Sequence, residues 1–247
     1  MKETRDLMGM PITVEVVDPS VSPEEIQKIF DYFDWVDRKF SPFKPESELS
    51  LINQDKIKES DWSEEMKLIF SLAEETKRET GGYFDILTPA GHYDPSGLVK
   101  GWAIRQAAEI LSKDGYVDFY IEAGGDIEAR GKNNRGKNWS VGVRNPFNPN
   151  QIVKRIQLTD RAIATSGTYF RGQHIYNPLR KGQAITDVVS LTVIGPNIYE
   201  ADRFATAAFA MGRPGLDFIQ RLNGFEGYLI KADGRPVMTS GFEESVF

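Results

Sequence analysis

The chain has 247 residues, 40% of them hydrophobic and 27% charged, which is enough for one large domain or two small ones. It has no cysteine and only two histidines, His92 and His174, so these residues offer no disulfide, thiolate metal site, cysteine nucleophile or lipoprotein anchor cysteine, and a multi-histidine metal centre is nearly excluded. A net charge of −6 and a pI of about 5.2 argue against a general nucleic-acid surface and weakly against an anionic membrane surface. No stretch approaches the roughly 20 apolar residues that a membrane span requires. The opening MKETRDLMGMPITVEV lacks the apolar centre of a secretory signal. The expectation is therefore a soluble, cytoplasmic protein with no transmembrane segment.

Ile12, Val14 and Val16 alternate with Thr13 and Glu15, as in a half-buried strand. Ser22-Pro23-Glu24-Glu25 carries the signature of a helix start: a serine cap, proline in the first turn and glutamate three residues on. Ile26, Ile29, Phe30, Phe33 and Val36 then mark one face of a helix, which Ser41-Pro42-Phe43-Lys44-Pro45 breaks. Residues 47–53 form a short helix or turn. Residues 63–80 form a second long helix, with Met66, Ile69, Phe70 and Ala73 inward and Gly81-Gly82 as its stop. After a glycine-punctuated stretch, residues 102–111 continue as a third helix.

From Asp118 the pattern changes. Residues 118–129 alternate around Gly124-Gly125, which suggests a bulge or a close backbone approach inside a strand. Residues 139–144, 152–158, 162–165 and 188–194 read as strands separated by Gly, Pro and Asn turns. Residues 199–211 are helical, and residues 218–222 belong to another helix. Residues 228–231 and 236–238 make a hairpin. Helices lead the first half and antiparallel-type strands the second. This is an α+β pattern, with helices flanking a central, largely antiparallel sheet in a single domain over residues 1–247.

Several familiar chemistries are missing: there is no GxGxxG, no phosphate-binding GxxxxGK[ST], no HExxH and no GxSxG. Asp202 and Thr206 lie four apart and share a helical face. They suit a hard cation that takes oxygen ligands. They suit equally an acidic first turn that complements the helix dipole and a threonine bonded back to a carbonyl. His174, in a polar loop after a strand, is either a general base or a hydrogen-bonded structural histidine. DPSGLVKG places Asp94 and Lys100 at a helix entrance, where backbone can approach an anion closely. The same residues also make an ordinary helix start. Met8, Phe43, Tyr83 and Phe84 offer apolar surface to a flat ring or simply pack in the core.

These segments stand in an order that resembles the ApbE-type family, the FAD:protein FMN transferases. They are Met8-Gly9-Met10, SPFKPESELSLIN, GGYFD, DPSGLVKGWA, EAGGDIEARG, AIATSGTYFRGQHIYNP and VVSLTVIGPNIYEADRFATAAFAMG, spread over residues 8–212. The resemblance implies an α+β fold with a cleft for FAD. It implies that Met8, Phe43, Tyr83, Phe84, Asp85, Asp94, Lys100 and Tyr176 border FAD. It also implies that Asp202, Thr206 and the Gly97 carbonyl hold Mg²⁺, and that His174 helps to activate an acceptor hydroxyl. The implied reaction transfers FMN from FAD to a Thr or Ser of an acceptor protein and releases AMP. An FAD pyrophosphatase giving FMN and AMP, and an FAD-binding protein without transfer activity, are the alternatives. The chain departs from the family pattern at Arg105 and Asn177, where Asp is common, and in a shorter stretch between Tyr83 and Lys100.

Overall fold

The computed structural model describes residues 1–168, 175–180 and 183–245. The chain opens with β1 (Lys2–Leu7), turns through Met8-Gly9 and returns as β2 (Met10–Val16), with Leu7 opposite Met10. A two-residue hairpin turn follows the strand twist when both of its central residues take positive φ. Met8 at 53° and Gly9 at 72° do so. The polar sequence KETRDL carries no apolar alternation. It becomes a strand because β2 offers an edge to pair with, and it stays an edge strand.

The helices follow: α1 (Pro23–Phe40), α2 (Glu48–Asn53), α3 (Glu64–Glu79) and α4 (Ser96–Lys113). The expected capping box is present: the Glu25 N–H donates to Ser22 Oγ, and the Ser22 N–H donates to Glu25 Oε2 at 2.8 Å. Ser47 and Ser63 cap α2 and α3 with their hydroxyls alone, accepting from the Ser50 and Met66 N–H groups without the reciprocal bond. The fourth helix begins at Ser96, six residues before the expected start at Trp102. Gly97 and Gly101 interrupt its apolar periodicity, which hides its first turn in the sequence.

The remaining elements are β3 (Phe119–Ala123), β4 (Asp126–Arg130), β5 (Trp139–Asn145), β6 (Asn148–Leu158), β7 (Arg161–Gly167), β8 (Tyr176–Asn177), β9 (Gln183–Ala184), β10 (Val188–Gly195), α5 (Ile198–Met211), α6 (Pro214–Gln220), β11 (Glu226–Lys231) and β12 (Pro236–Met238). Of the two readings at Gly124-Gly125, the bulge gives way to a hairpin turn, while the close approach is present: the Gly124 N–H lies 3.2 Å from the Pro11 carbonyl, and a Cβ there would stand 3.0 Å from Met10 Sδ. Ala123 faces Asp126 across the two glycines, whose φ values are 60° and 98°. Only glycine takes such angles in both turn positions without strain.

The main sheet runs β1-β2-β3-β4-β7-β10-β11-β12, and every neighbouring pair is antiparallel. The α+β architecture with a large antiparallel sheet is therefore as expected. The helices cover one face, where Ile12, Val14, Phe119, Ile121 and Ala164 join the helical core. On the other face the β5–β6 ribbon packs Trp139, Val143, Ile156 and Leu158 against Ile127, Ala129 and Ile163. Each fully buried side chain of this size contributes roughly 1.5–3 kcal/mol of transfer free energy. Among the described residues, no helix is long and apolar enough to cross a membrane.

Candidate active site

A cleft of about 890 Å³ opens at the end of the sheet where the β1–β2 and β3–β4 turns lie. Its walls come from residues 83–88, the first turns of α4, β5, the end of β7, Tyr176 and α5. Six of the eight residues expected to border FAD line it: Tyr83, Phe84, Asp85, Asp94, Lys100 and Tyr176. The other two do not. Met8 occupies the left-handed turn position, and its side chain packs against the helical core. Phe43 sits between two prolines and is 88% exposed.

Local structure explains why those six converge. Gly81 and Gly82 stop α3 by bonding back to the Arg78 and Lys77 carbonyls. The Phe84 N–H donates to Thr80 Oγ1 at 3.1 Å. Asp85 accepts from the Leu87 N–H and pairs with Lys77 at 2.7 Å. Asn53, at the end of α2, clamps Tyr93 through both backbone groups, at 2.9 and 2.7 Å. That clamp holds the neighbouring Asp94 at the entrance of α4, where its carboxylate accepts from the Ser96 N–H and hydroxyl. Burial pushes the Tyr176 phenol above its ordinary pKa, and the nearby Asp85 and Asp94 carboxylates push it further. It therefore stays a neutral donor at the cleft wall.

The chemical centre lies where α4, α5 and β4 meet. Asp202 is 3% exposed. Its Oδ1 accepts from Lys100 Nζ at 2.8 Å, and its Oδ2 accepts from the Gly101 N–H at 2.8 Å. An ideal helix would aim that N–H at the Gly97 carbonyl, so sharing it with Asp202 loosens the hold on the Gly97 oxygen. Thr206 Oγ1 stands 3.4 Å from the Gly97 carbonyl and 3.4 Å from Ser166 Oγ. The three expected metal ligands, Gly97, Asp202 and Thr206, are thus brought together. Glycine is required here for close approach: a Cβ on Gly101 would stand 2.7 Å from Asp202 Cβ and 2.8 Å from the Ile198 carbonyl.

Asp126 does not stand out in the sequence as a site residue, yet it joins Asp202 in holding Lys100. It is buried, its Oδ2 pairs with Lys100, and its Oδ1 accepts from the Thr165 N–H at 2.9 Å. The only hint in the sequence is its place after Gly124-Gly125. Asn53 was likewise missed, because its role depends on a partner 40 residues away. Among the described residues, no group of three or more His, Asp or Glu side chains converges on a common point. A cation here would rely on a carbonyl and a hydroxyl besides its carboxylates. His174 lies outside the described residues. Asn177 accepts from the Leu179 N–H at 3.0 Å, a bond that Asp could also accept.

The ApbE family model matches residues 8–90 and 87–229. The chain belongs to the ApbE family. The FAD:protein FMN transferase of Klebsiella pneumoniae is 30% identical over 156 residues, which cover 59% of this chain and 44% of that relative. The FAD:protein FMN transferase of Vibrio cholerae is 32% identical over 133 residues, or 50% of this chain and 40% of that relative. The matched stretch thus spans less than half the length of these curated relatives. The solved structure of the flavin transferase ApbE from Vibrio cholerae superposes with a TM-score of 0.86 at 22% identity, covering 99% of this chain and 98% of the other. The ApbE protein of Thermotoga maritima gives the same score, identity and coverage. At this identity the solved structures speak for the fold, and they agree with the eight-stranded sheet described above.

Proposed function

We propose that residues 1–247 form one flavin transferase domain that moves FMN from FAD to a Thr or Ser hydroxyl of an acceptor protein, with AMP released. The observation that carries this reading is the oxygen cluster of Gly97, Asp202 and Thr206 at the base of a cleft that also presents Asp94, Lys100 and Tyr176. Family membership gives the substrate class, since the curated relatives are named for FAD and FMN.

The cluster fits Mg²⁺. A carboxylate, a hydroxyl and a carbonyl are all hard oxygen donors; Thr206 already meets the Gly97 carbonyl, and Asp202 meets the Gly101 N–H one turn further along α4. Bound there, the ion would neutralise charge that builds on the pyrophosphate oxygens. The chain supplies the rest. Lys100 places an ammonium beside the cluster, where it can turn from Asp202 to a phosphate oxygen. Asp94, Asp85 and the neutral Tyr176 phenol offer hydrogen bonds to a polar ligand in the cleft. His174 is assigned to take the proton from the acceptor hydroxyl. As the acceptor oxygen bonds to the FMN phosphorus of FAD, the bond from that phosphorus to the bridging oxygen breaks, and AMP leaves carrying the bridging oxygen.

The test mixes the protein with FAD and Mg²⁺, with and without a Thr-bearing acceptor domain, and follows AMP, FMN and acceptor mass. An acceptor gain equal to FMN, AMP release and loss of both in EDTA are the expected results. AMP and free FMN without acceptor modification would replace transfer by pyrophosphate hydrolysis. FAD binding without cleavage would reduce the protein to a flavin binder.

A further inference from the structure

Behind the oxygen cluster lies a second layer of polar contacts made by the same three elements. Glu128 is 1% exposed. Its Oε1 accepts from Arg105 Nη1 at 2.8 Å and from Arg130 Nη2 at 2.9 Å. Its Oε2 accepts from the Ile198 N–H, the first residue of α5, at 2.7 Å. Glu109 closes the group by pairing with both arginines, so two cations face two carboxylates.

The spacing links this layer to the cluster. Asp126 and Glu128 are two apart on β4 and point to one side of the sheet. Gly101 and Arg105 are four apart on α4, and Ile198, Asp202 and Thr206 recur every four residues on α5, so each set shares a helical face. The first layer joins β4, α4 and α5 through Asp126, Lys100 and Asp202. The second joins them again through Glu128, Arg105 and Ile198.

We infer that Glu128 is a positioning residue of the oxygen cluster. By fixing the first turn of α5 to β4 and α4, it sets where Asp202 and Thr206 stand against Gly97. The inference rests on reading that cluster as a divalent-cation site. Glutamine at 128 would have nearly the same shape but would turn an amide NH₂ toward either a guanidinium or the Ile198 N–H, donor against donor.

The experiment titrates Mn²⁺, read by its electron paramagnetic resonance signal, into the full chain with and without FAD. Partners that hydrogen-bond a metal ligand directly are worth roughly 10–100-fold in metal affinity, and Glu128 acts one step further out through the Ile198 N–H, so the low end, about 10-fold, applies. Glu128→Gln should weaken Mn²⁺ binding by that factor while FAD binding measured in EDTA is unchanged. Arg105→Gln should shift it in the same direction by less, because Arg130 and Ile198 still hold the carboxylate. It also carries the test if Glu128→Gln does not fold. Ile230→Ala, a buried change on β11 outside the cleft and this network, supplies a destabilised control that should keep the Mn²⁺ affinity. Wild-type affinity in both network variants, or an equal loss in Ile230→Ala, would overturn the inference. Failure of the unmutated chain to bind Mn²⁺ would strike at the cation site itself, and the inference would fall with it.

Discussion

The two faces of the main sheet both bury apolar cores but differ in the charge they bury, and β4 shows the difference within five residues. Asp126 and Glu128 point toward α4 and α5, while Ile127 and Ala129 point toward the β5–β6 ribbon. The ribbon face is closed by Trp139, Val143, Ile156 and Leu158. The helix face has an apolar core as well, but between α4, α5 and β4 it also buries Asp126, Glu128 and Asp202. A buried charge is costly unless paired, and replacing such a pair by apolar residues is often neutral or stabilising. The ribbon face shows that this sequence can build an apolar interface on the same strand. The charges on the helix face therefore point to chemistry rather than to stability.

Breaking the helix face should affect activity first. Asp202→Asn preserves volume but removes a carboxylate from the oxygen cluster. If the cation supplies several kcal/mol of transition-state stabilisation, AMP release should fall about a hundredfold or more, beyond what the lower thermal midpoint from an amide set against Lys100 or the Gly101 N–H accounts for. Normal turnover in this variant would remove the metal assignment. Lys100→Met tests the same region from the cation side. It leaves Asp126 and Asp202 buried without their ammonium partner, at a cost of roughly 3–5 kcal/mol. Urea unfolding in EDTA should show that loss, and millimolar Mg²⁺ should restore part of it because a ligand that binds only the folded state stabilises it. An unchanged urea midpoint in EDTA would mean that the three groups are not a coupled set.

The ribbon face should respond in the opposite way. Leu158→Ala empties a fully buried position and should cost about 2–5 kcal/mol. Its Mn²⁺ affinity should match the wild type, because Leu158 packs in the second core whereas Gly97, Asp202 and Thr206 stand on α4 and α5. A large loss of Mn²⁺ binding in this variant would erase the distinction between the two faces.

How far each face is legible in the sequence follows from the range of its interactions. Apolar periodicity and capping are local, so α1, α3, β2 and the β11–β12 hairpin are evident from residues within one turn or one pleat. The polar strand β1 is not, because it depends on β2 for its pairing. The site divides in the same way. The spacing of Asp202 and Thr206 leaves a cation site and an ordinary acidic helix start both open, and their assignment, like that of Tyr83, Phe84, Asp85, Asp94, Lys100 and Tyr176, comes from segments that resemble a known family. Asp126 and Glu128 look like ordinary strand residues until Lys100, Arg105 and Ile198 arrive from distant parts of the chain. Phe43 shows the limit from the other side: its segment resembles the family, but its loop turns it to solvent rather than into the cleft.

The smallest change that should separate the two faces is a single methyl group. Gly101→Ala improves helix propensity by up to about 1 kcal/mol. Against that, the new Cβ meets Asp202 Cβ at 2.7 Å and the Ile198 carbonyl at 2.8 Å, and neither lies at the end of a flexible chain. Overpacking of this kind costs about 1–3 kcal/mol, so the clash outweighs the propensity gain. The helices must part, and the parting falls on the seam that carries Gly97, Asp202 and Thr206. The variant should therefore lose more activity than stability, with Mn²⁺ affinity and AMP release both reduced while urea unfolding shifts only slightly. A variant more stable than the wild type with unaltered Mn²⁺ binding would show that α4 and α5 do not need this close approach, and the geometry assigned to the oxygen cluster would have to be redrawn.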